Sequence, residues 1–231
     1  MRTPAIALPE KALIICTAAL LAMAPLFASA QEDRDNLYRA EIVIIERLVD
    51  PQNVEERMAN RMPEPVGNMA KQMKVIRSDG SVGTSLRLAP ETDLRLRSVA
   101  QRLENSGRYR VLMTAGWYQS FPPNYDGEPM QVAVGDWLAD AGHREVEGHI
   151  TIDRQRYLHV GVHLNHWTPG SSSPYPVQGD TTGNELQSAS TRASAELLTW
   201  IRETRRMRSE EIHFLDSPTI GVLVFFRRVE G

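Results

Sequence analysis

The chain has 231 residues, with 26 basic and 29 acidic side chains and a formal net charge of −3 at pH 7. That balance sets aside a nucleic-acid binder, since such domains carry a strongly basic surface. The single cysteine, Cys16, excludes a disulfide framework and a thiolate metal site.

Residues 1–30 read as a secretory signal peptide. Arg2 and Lys11 are basic, residues 12–27 are apolar apart from Thr17 and Pro25, and Ala28-Ser29-Ala30 is a small-residue exit. Cleavage is expected between Ala30 and Gln31. A membrane anchor would need an uninterrupted apolar run of about 20 residues, so no span is expected after cleavage. Cys16 follows Ile14-Ile15 rather than a small residue, which argues against lipidation. Removing the leader leaves 24 basic and 28 acidic residues, no cysteine and a charge of about −4. About 200 residues are enough to bury a core without disulfides.

Residues 31–37 form a polar leader. A strand follows at 38–49, with Tyr38, Ala40, Ile42 and Ile44 on one face and Val43 and Ile45 on the other. Asp50-Pro51 ends it. Residues 54–82 have no clear period. Glu55-Glu56-Arg57 suggests a short helix cut off by Pro63, Pro65 and Gly67, while Met58, Met62, Met69 and Met73 read as padding at a core rim. The one convincing helix spans 91–103, with Pro90 before it, Glu91 and Asp93 in the first turn and Ser106-Gly107 after it. Leu96, Val99, Ala100 and Leu103 make its apolar stripe.

Tyr109, Val111, Met113, Ala115 and Trp117 alternate as a strand at 109–117. It runs into Trp117-Tyr118-Gln119 and a proline-bearing loop at 120–128. Aromatics there either stack on a ligand or close a core. Further strands are expected at 130–134, 147–153 and 157–167, with a hairpin turn near Asp153-Arg154-Gln155-Arg156. In 157–167, Leu158, Val160, Val162 and Leu164 oppose a polar face of Tyr157, His159, Gly161, His163 and Asn165. Residues 168–183 read as a long loop. Residues 196–207 fit helix or strand, and a strand pairing with the segment C-terminal to it is favoured.

The densest stretch is 203–226. Arg205, Arg206 and Arg208 form a cationic run, followed by Ile212, His213, Phe214, Leu215 and Asp216. Ser217-Pro218 breaks the chain, and residues 220–226 carry no polar side chain. That run predicts a central strand buried on both faces. The arginines are either a solvated hairpin end or a site for an anionic ligand or partner at the edge of the core. The architecture expected is α+β: a mostly antiparallel β-sheet with one main helix packed on a face, as a single domain over 31–231.

Catalytic signatures are missing from the pattern. His159 and His163 on one strand stand ~13 Å apart at roughly 3.3 Å per residue, too far for one zinc with bonds near roughly 2 Å. His166 falls on the opposite face. There is no G-x-S-x-G elbow and no G-K-[ST] step. Glu145 and Glu147 are an ordinary acidic pair without a pocket to promote them. Neither an enzyme nor a cofactor is expected.

Five segments together resemble the CsiV family of periplasmic peptidoglycan-binding proteins of Gram-negative bacteria. They are Y-R-A-E-I-V-I-I, R-L-E-N-S-G-R-Y-R-V-L, A-G-W-Y-Q, G-H-I-T-I-D-R-Q-R-Y-L-H-V and R-R-M-R-S-E-E-I-H-F-L-D-S-P-T-I-G-V-L-V. The resemblance spans 38–226. Ser217 stands where the family often has His, and Phe214 where it often has Tyr. The resemblance implies a non-catalytic accessory of cell-wall synthesis. It binds peptidoglycan and supports a bifunctional class A penicillin-binding protein through an outer-membrane lipoprotein activator. Stem-peptide carboxylates would suit bidentate contacts from Arg205, Arg206 or Arg208. Trp117, Tyr118, Tyr157 and His159 would stack and hydrogen-bond, and Gln119, His213 and Asp216 complete the candidate set. The alternative is a protein–protein adaptor in the envelope that makes no glycan contact.

Overall fold

A computed structural model of the chain describes residues 36–55, 58, 63, 69–170 and 195–229. The expected signal peptide, nearly all of the polar leader, Met62 and all but the first residues of the 168–183 loop lie outside these. Among the described residues there are ten strands and one α-helix. They are β1 (Leu37–Arg47), β2 (Lys71–Ile76), β3 (Val82–Gly83), α1 (Arg95–Asn105), β4 (Tyr109–Ser120) and β5 (Met130–Leu138). β6 (His143–Arg154), β7 (Leu158–Thr168), β8 (Glu196–Met207), β9 (Ile212–Asp216) and β10 (Ile220–Arg228) complete the order. No helix among the described residues is long and apolar enough to cross a membrane.

The strands make two sheets rather than the one expected. The first runs β4-β1-β10-β9 and the second β3-β2-β5-β6-β7-β8. All pairings are antiparallel except β2 with β5. One apolar core joins the sheets. Ile42, Ile44, Trp117, Val222 and Phe226 of the first meet Val132, Ile150, Val160, Val162 and Ile201 of the second. Every residue from Ile220 to Phe226 is buried, as the unbroken apolar run demanded. β10 lies between β1 and β9, with Val222 and Val224 in the main core and Leu223 and Phe225 in a second cluster.

That second cluster joins Leu96 and Ala100 of α1 to Val43, Ile45, Leu223 and Phe225. A bulge in β4 explains a difference from the expected alternation. Ile44 pairs with Met113 but Ile45 with Val111, leaving Leu112 as the extra residue. Met113, Ala115 and Trp117 therefore face the main core, while Tyr109 and Val111 pack beside the helix.

The helix begins later than its sequence signals suggested. Glu91 and Asp93 lie in a short 3-10 turn, and α1 starts at Arg95 with no capping side chain of its own. Its cap comes from β1: the Leu96 N–H donates to Glu41 Oε2 at 2.8 Å, and Glu41 Oε1 accepts from Arg39 Nε at 2.8 Å. Glu41 is fully buried. Glu41→Ala would strand a helix N–H and a guanidinium with no acceptor, so a loss of about 2–4 kcal/mol in urea unfolding is expected. Glu41→Gln keeps an acceptor and should lose about 1 kcal/mol.

Candidate ligand-binding site

Strand register brings scattered arginines to one end of the two-sheet body. Arg39 at the start of β1 pairs with Arg227 of β10 and Tyr118 of β4, and Tyr38 pairs with Arg228. In the other sheet, Leu158 pairs with both Arg154 and Met207. The turn at 208–211 carries the chain from β8 to β9, from one sheet to the other. Arg39, Arg156, Arg206, Arg208, Arg227 and Arg228 thus converge on this end, against Asp153, Glu210 and Glu211. A chain with net negative charge concentrates cations here.

On the side of the six-stranded sheet, Tyr157 is 41% exposed and lies within cation–π reach of two guanidinium groups. The Arg206 carbon lies 4.8 Å from the ring centroid and that of Arg156 5.5 Å. Such cation–π contacts fix the ring while leaving guanidinium edges for a ligand. His159 pairs with Arg206 across β7 and β8, and its buried Nδ1 has no hydrogen-bond partner among the described residues. Arg208 is exposed, 3.6 Å from Glu211, and its backbone N–H donates to His213 Nε2 at 3.0 Å. Arg205 is committed elsewhere. It donates from Nη1 to the Phe214 carbonyl at 2.6 Å and from Nε to Glu203 at 2.9 Å, stitching β8 to β9.

On the side of the four-stranded sheet there is an open cavity of about 540 Å³. Arg39, Tyr118, Ser209, Glu210, Arg227 and Arg228 line it.

The opposite end holds a charge network that the sequence pattern did not reveal. Arg110 makes ion pairs with Glu46 at 2.7 Å, Asp136 at 2.8 Å and Glu145 at 2.5 Å. His166, 3% exposed, bonds to Thr219 Oγ1 through Nδ1 at 2.6 Å and to Glu145 Oε1 through Nε2 at 3.2 Å. Burial alone would raise the Glu145 carboxyl, but His166, the Asp136 N–H and Arg110 together hold it at about 2. Burial and the Glu145 charge push Glu46 upward, against Arg110. Glu46, Glu145 and His166 offer ligand atoms within 4.8 Å of one another, the spacing of a small cation site. Arg110 already supplies positive charge there, and both His166 nitrogens are engaged, so protein partners satisfy the cluster.

The sequence model of the family described as "Peptidoglycan-binding protein, CsiV" matches residues 13–229. The chain belongs to the CsiV family. No curated protein and no solved structure matches it. The CsiV description names peptidoglycan as what the family binds, which points to the envelope as its place of action.

Within this CsiV chain, the expected site residues divide sharply. Tyr118, Tyr157, His159, Arg206 and Arg208 lie at the arginine-rich end. Trp117 is buried in the core, 1% exposed, and its indole N–H donates to Gln119 Oε1 at 2.8 Å. Gln119 is half-buried and passes the link on to the Tyr125 hydroxyl at 2.8 Å. Asp216 lies at the other end of β9, paired with Arg47. His213 ties down the β8–β9 turn through Arg208. Ser217 accepts the Ile220 N–H at 3.2 Å, and the Phe214 ring lies where a side chain on Gly221 would collide at 2.5 Å. Both departures from the CsiV pattern therefore have internal roles. Arg39, Arg227 and Arg228 were missed because each is one ordinary charge near a strand end, and only pairing brings them together.

Proposed function

We propose that this protein is a non-catalytic periplasmic accessory of cell-wall synthesis that holds peptidoglycan at its arginine-rich end. The observation that carries the reading is that a CsiV-family chain of net negative charge gathers exposed arginines beside Tyr118 and Tyr157 at one end. Murein offers carboxylates on its stem peptides and broad sugar faces on its glycan. Guanidinium forks suit the former and aromatic rings the latter. The export signal at 1–30 supports the periplasmic address. In the same proposal, the wall-bound protein works through an outer-membrane lipoprotein activator and a class A penicillin-binding protein.

Purified protein should co-sediment with isolated sacculi at low salt and be released as salt rises, because the contacts are largely ionic. A protein that stays in the supernatant at low salt contradicts the proposal. Cross-linking in cells would then test the adaptor reading, which requires capture by the lipoprotein or the synthase without wall binding.

A further inference from the structure

Arg39 and Arg227 stand directly opposite one another on β1 and β10. Like charges placed so repel, and the pairing lowers stability unless something anionic lies between them. Arg39 cannot swing away. Its Nε is held by Glu41, which the Leu96 N–H holds in turn, and only 11% of its side chain is exposed. Its Nη atoms have no hydrogen-bond partner among the described residues, and Arg39 lines the cavity together with Arg227 and Tyr118. A fixed cation of this kind costs little to organise when an anion arrives.

The cavity also has one acid. Glu210 adopts φ 65°, a left-handed conformation that Gly and Asn tolerate better than Glu. Its N–H donates to the Phe226 carbonyl at 2.8 Å, which secures the turn. Its carboxylate stops 3.9 Å from Arg227 Nε, longer than a hydrogen bond. Two opposed arginines and a carboxylate lining one cavity match a group carrying both charges.

Resting on the peptidoglycan reading, we propose that this cavity receives a free α-amino-acid end, with carboxylate and ammonium on one carbon. The carboxylate bridges Arg39 and Arg227, the ammonium faces Glu210, and Tyr118 packs along the aliphatic stem. In a wall peptide containing diaminopimelate, the free side-chain end is such a group. Cross-linking converts its amine to an amide and removes the ammonium. The cavity therefore prefers uncross-linked stems to cross-linked ones.

The test is calorimetric titration of the protein with three soluble probes. These are a disaccharide-tripeptide ending in diaminopimelate, the same compound N-acetylated at the free side-chain amine, and the same compound amidated at the adjacent carboxylate. Each modification should weaken binding at least tenfold. Arg227→Ala should weaken the unmodified probe at least tenfold, and Glu210→Gln should abolish discrimination against the acetylated one. Both positions are exposed, so neither change burdens folding. Equal binding of the three probes, or an unchanged affinity in Arg227→Ala, overturns the inference. If the protein still sediments with sacculi in that case, wall binding survives and only the cavity assignment falls. Discrimination among probes without sacculus binding would uphold the cavity and remove the wall reading.

Discussion

Arg110→Met is expected to lower the unfolding free energy by about 2–4 kcal/mol, read from the urea midpoint at constant slope. The substitution keeps much of the side-chain stem but removes the one guanidinium that Glu46, Glu145 and Asp136 share. Glu145 and Glu46 keep only 9% and 17% side-chain exposure, so water cannot replace the lost cation in full. Adding Glu46→Gln and Glu145→Gln should recover most of the loss, because the penalty lies in uncompensated charge rather than in lost packing. A change below about 0.5 kcal/mol in Arg110→Met, the level of an ordinary surface substitution, would contradict the network's role.

The same network sets an acid limit. The Glu145 carboxyl falls from 4.5 to about 2 on folding. A depressed carboxyl stabilises the fold above its unfolded value, and that contribution fades as pH drops from about 4.5 towards 2. Glu46 works in the opposite sense, since its raised carboxyl favours the folded state when protonated. Wild-type stability should therefore fall between about pH 5 and pH 2, and the fall should be shallower in Arg110→Met.

Much of this architecture was legible in the sequence because local pattern and tertiary context agreed. The apolar run 220–226 and the stripe of Leu96, Val99, Ala100 and Leu103 each point to one packing solution, and both strand and helix form. The arrangement into two sheets was not legible. β2 has a single buried residue, Met73; its local partner β3 is only two residues long and its longer pairing is with β5, distant in sequence, so little in the local pattern marks it as a strand. The β4 bulge likewise inverts an alternation that looked regular, since one extra residue moves side chains to the other face.

The charge network was hidden for a different reason. Its members come from β1, β4, β5, β6 and β7 and the turn before β10, and each alone is an ordinary polar residue. A signal did exist. Glu46 continues the inward phase of Ala40, Ile42 and Ile44, and His166 continues that of Val160, Val162 and Leu164, so both were polar side chains aimed at a core. The arginine cluster at 205–208 was legible as charge but not as geometry. Arg206 reaches Tyr157, Arg208 lies exposed in the turn, and Arg205 is spent on the Phe214 carbonyl.

In the proposed function, the arginine-rich end of the molecule is the wall-binding surface. The most direct measurement is sacculus co-sedimentation of Arg206→Glu/Arg227→Glu beside a control reversal, Arg97→Glu/Arg102→Glu, on the exposed side of α1. Both pairs change net charge equally, so non-specific attraction weakens to the same extent in each. The first pair is predicted to lose at least tenfold in affinity at low salt, while the control stays within twofold of wild type. Equal affinity of the two double variants would contradict the assignment.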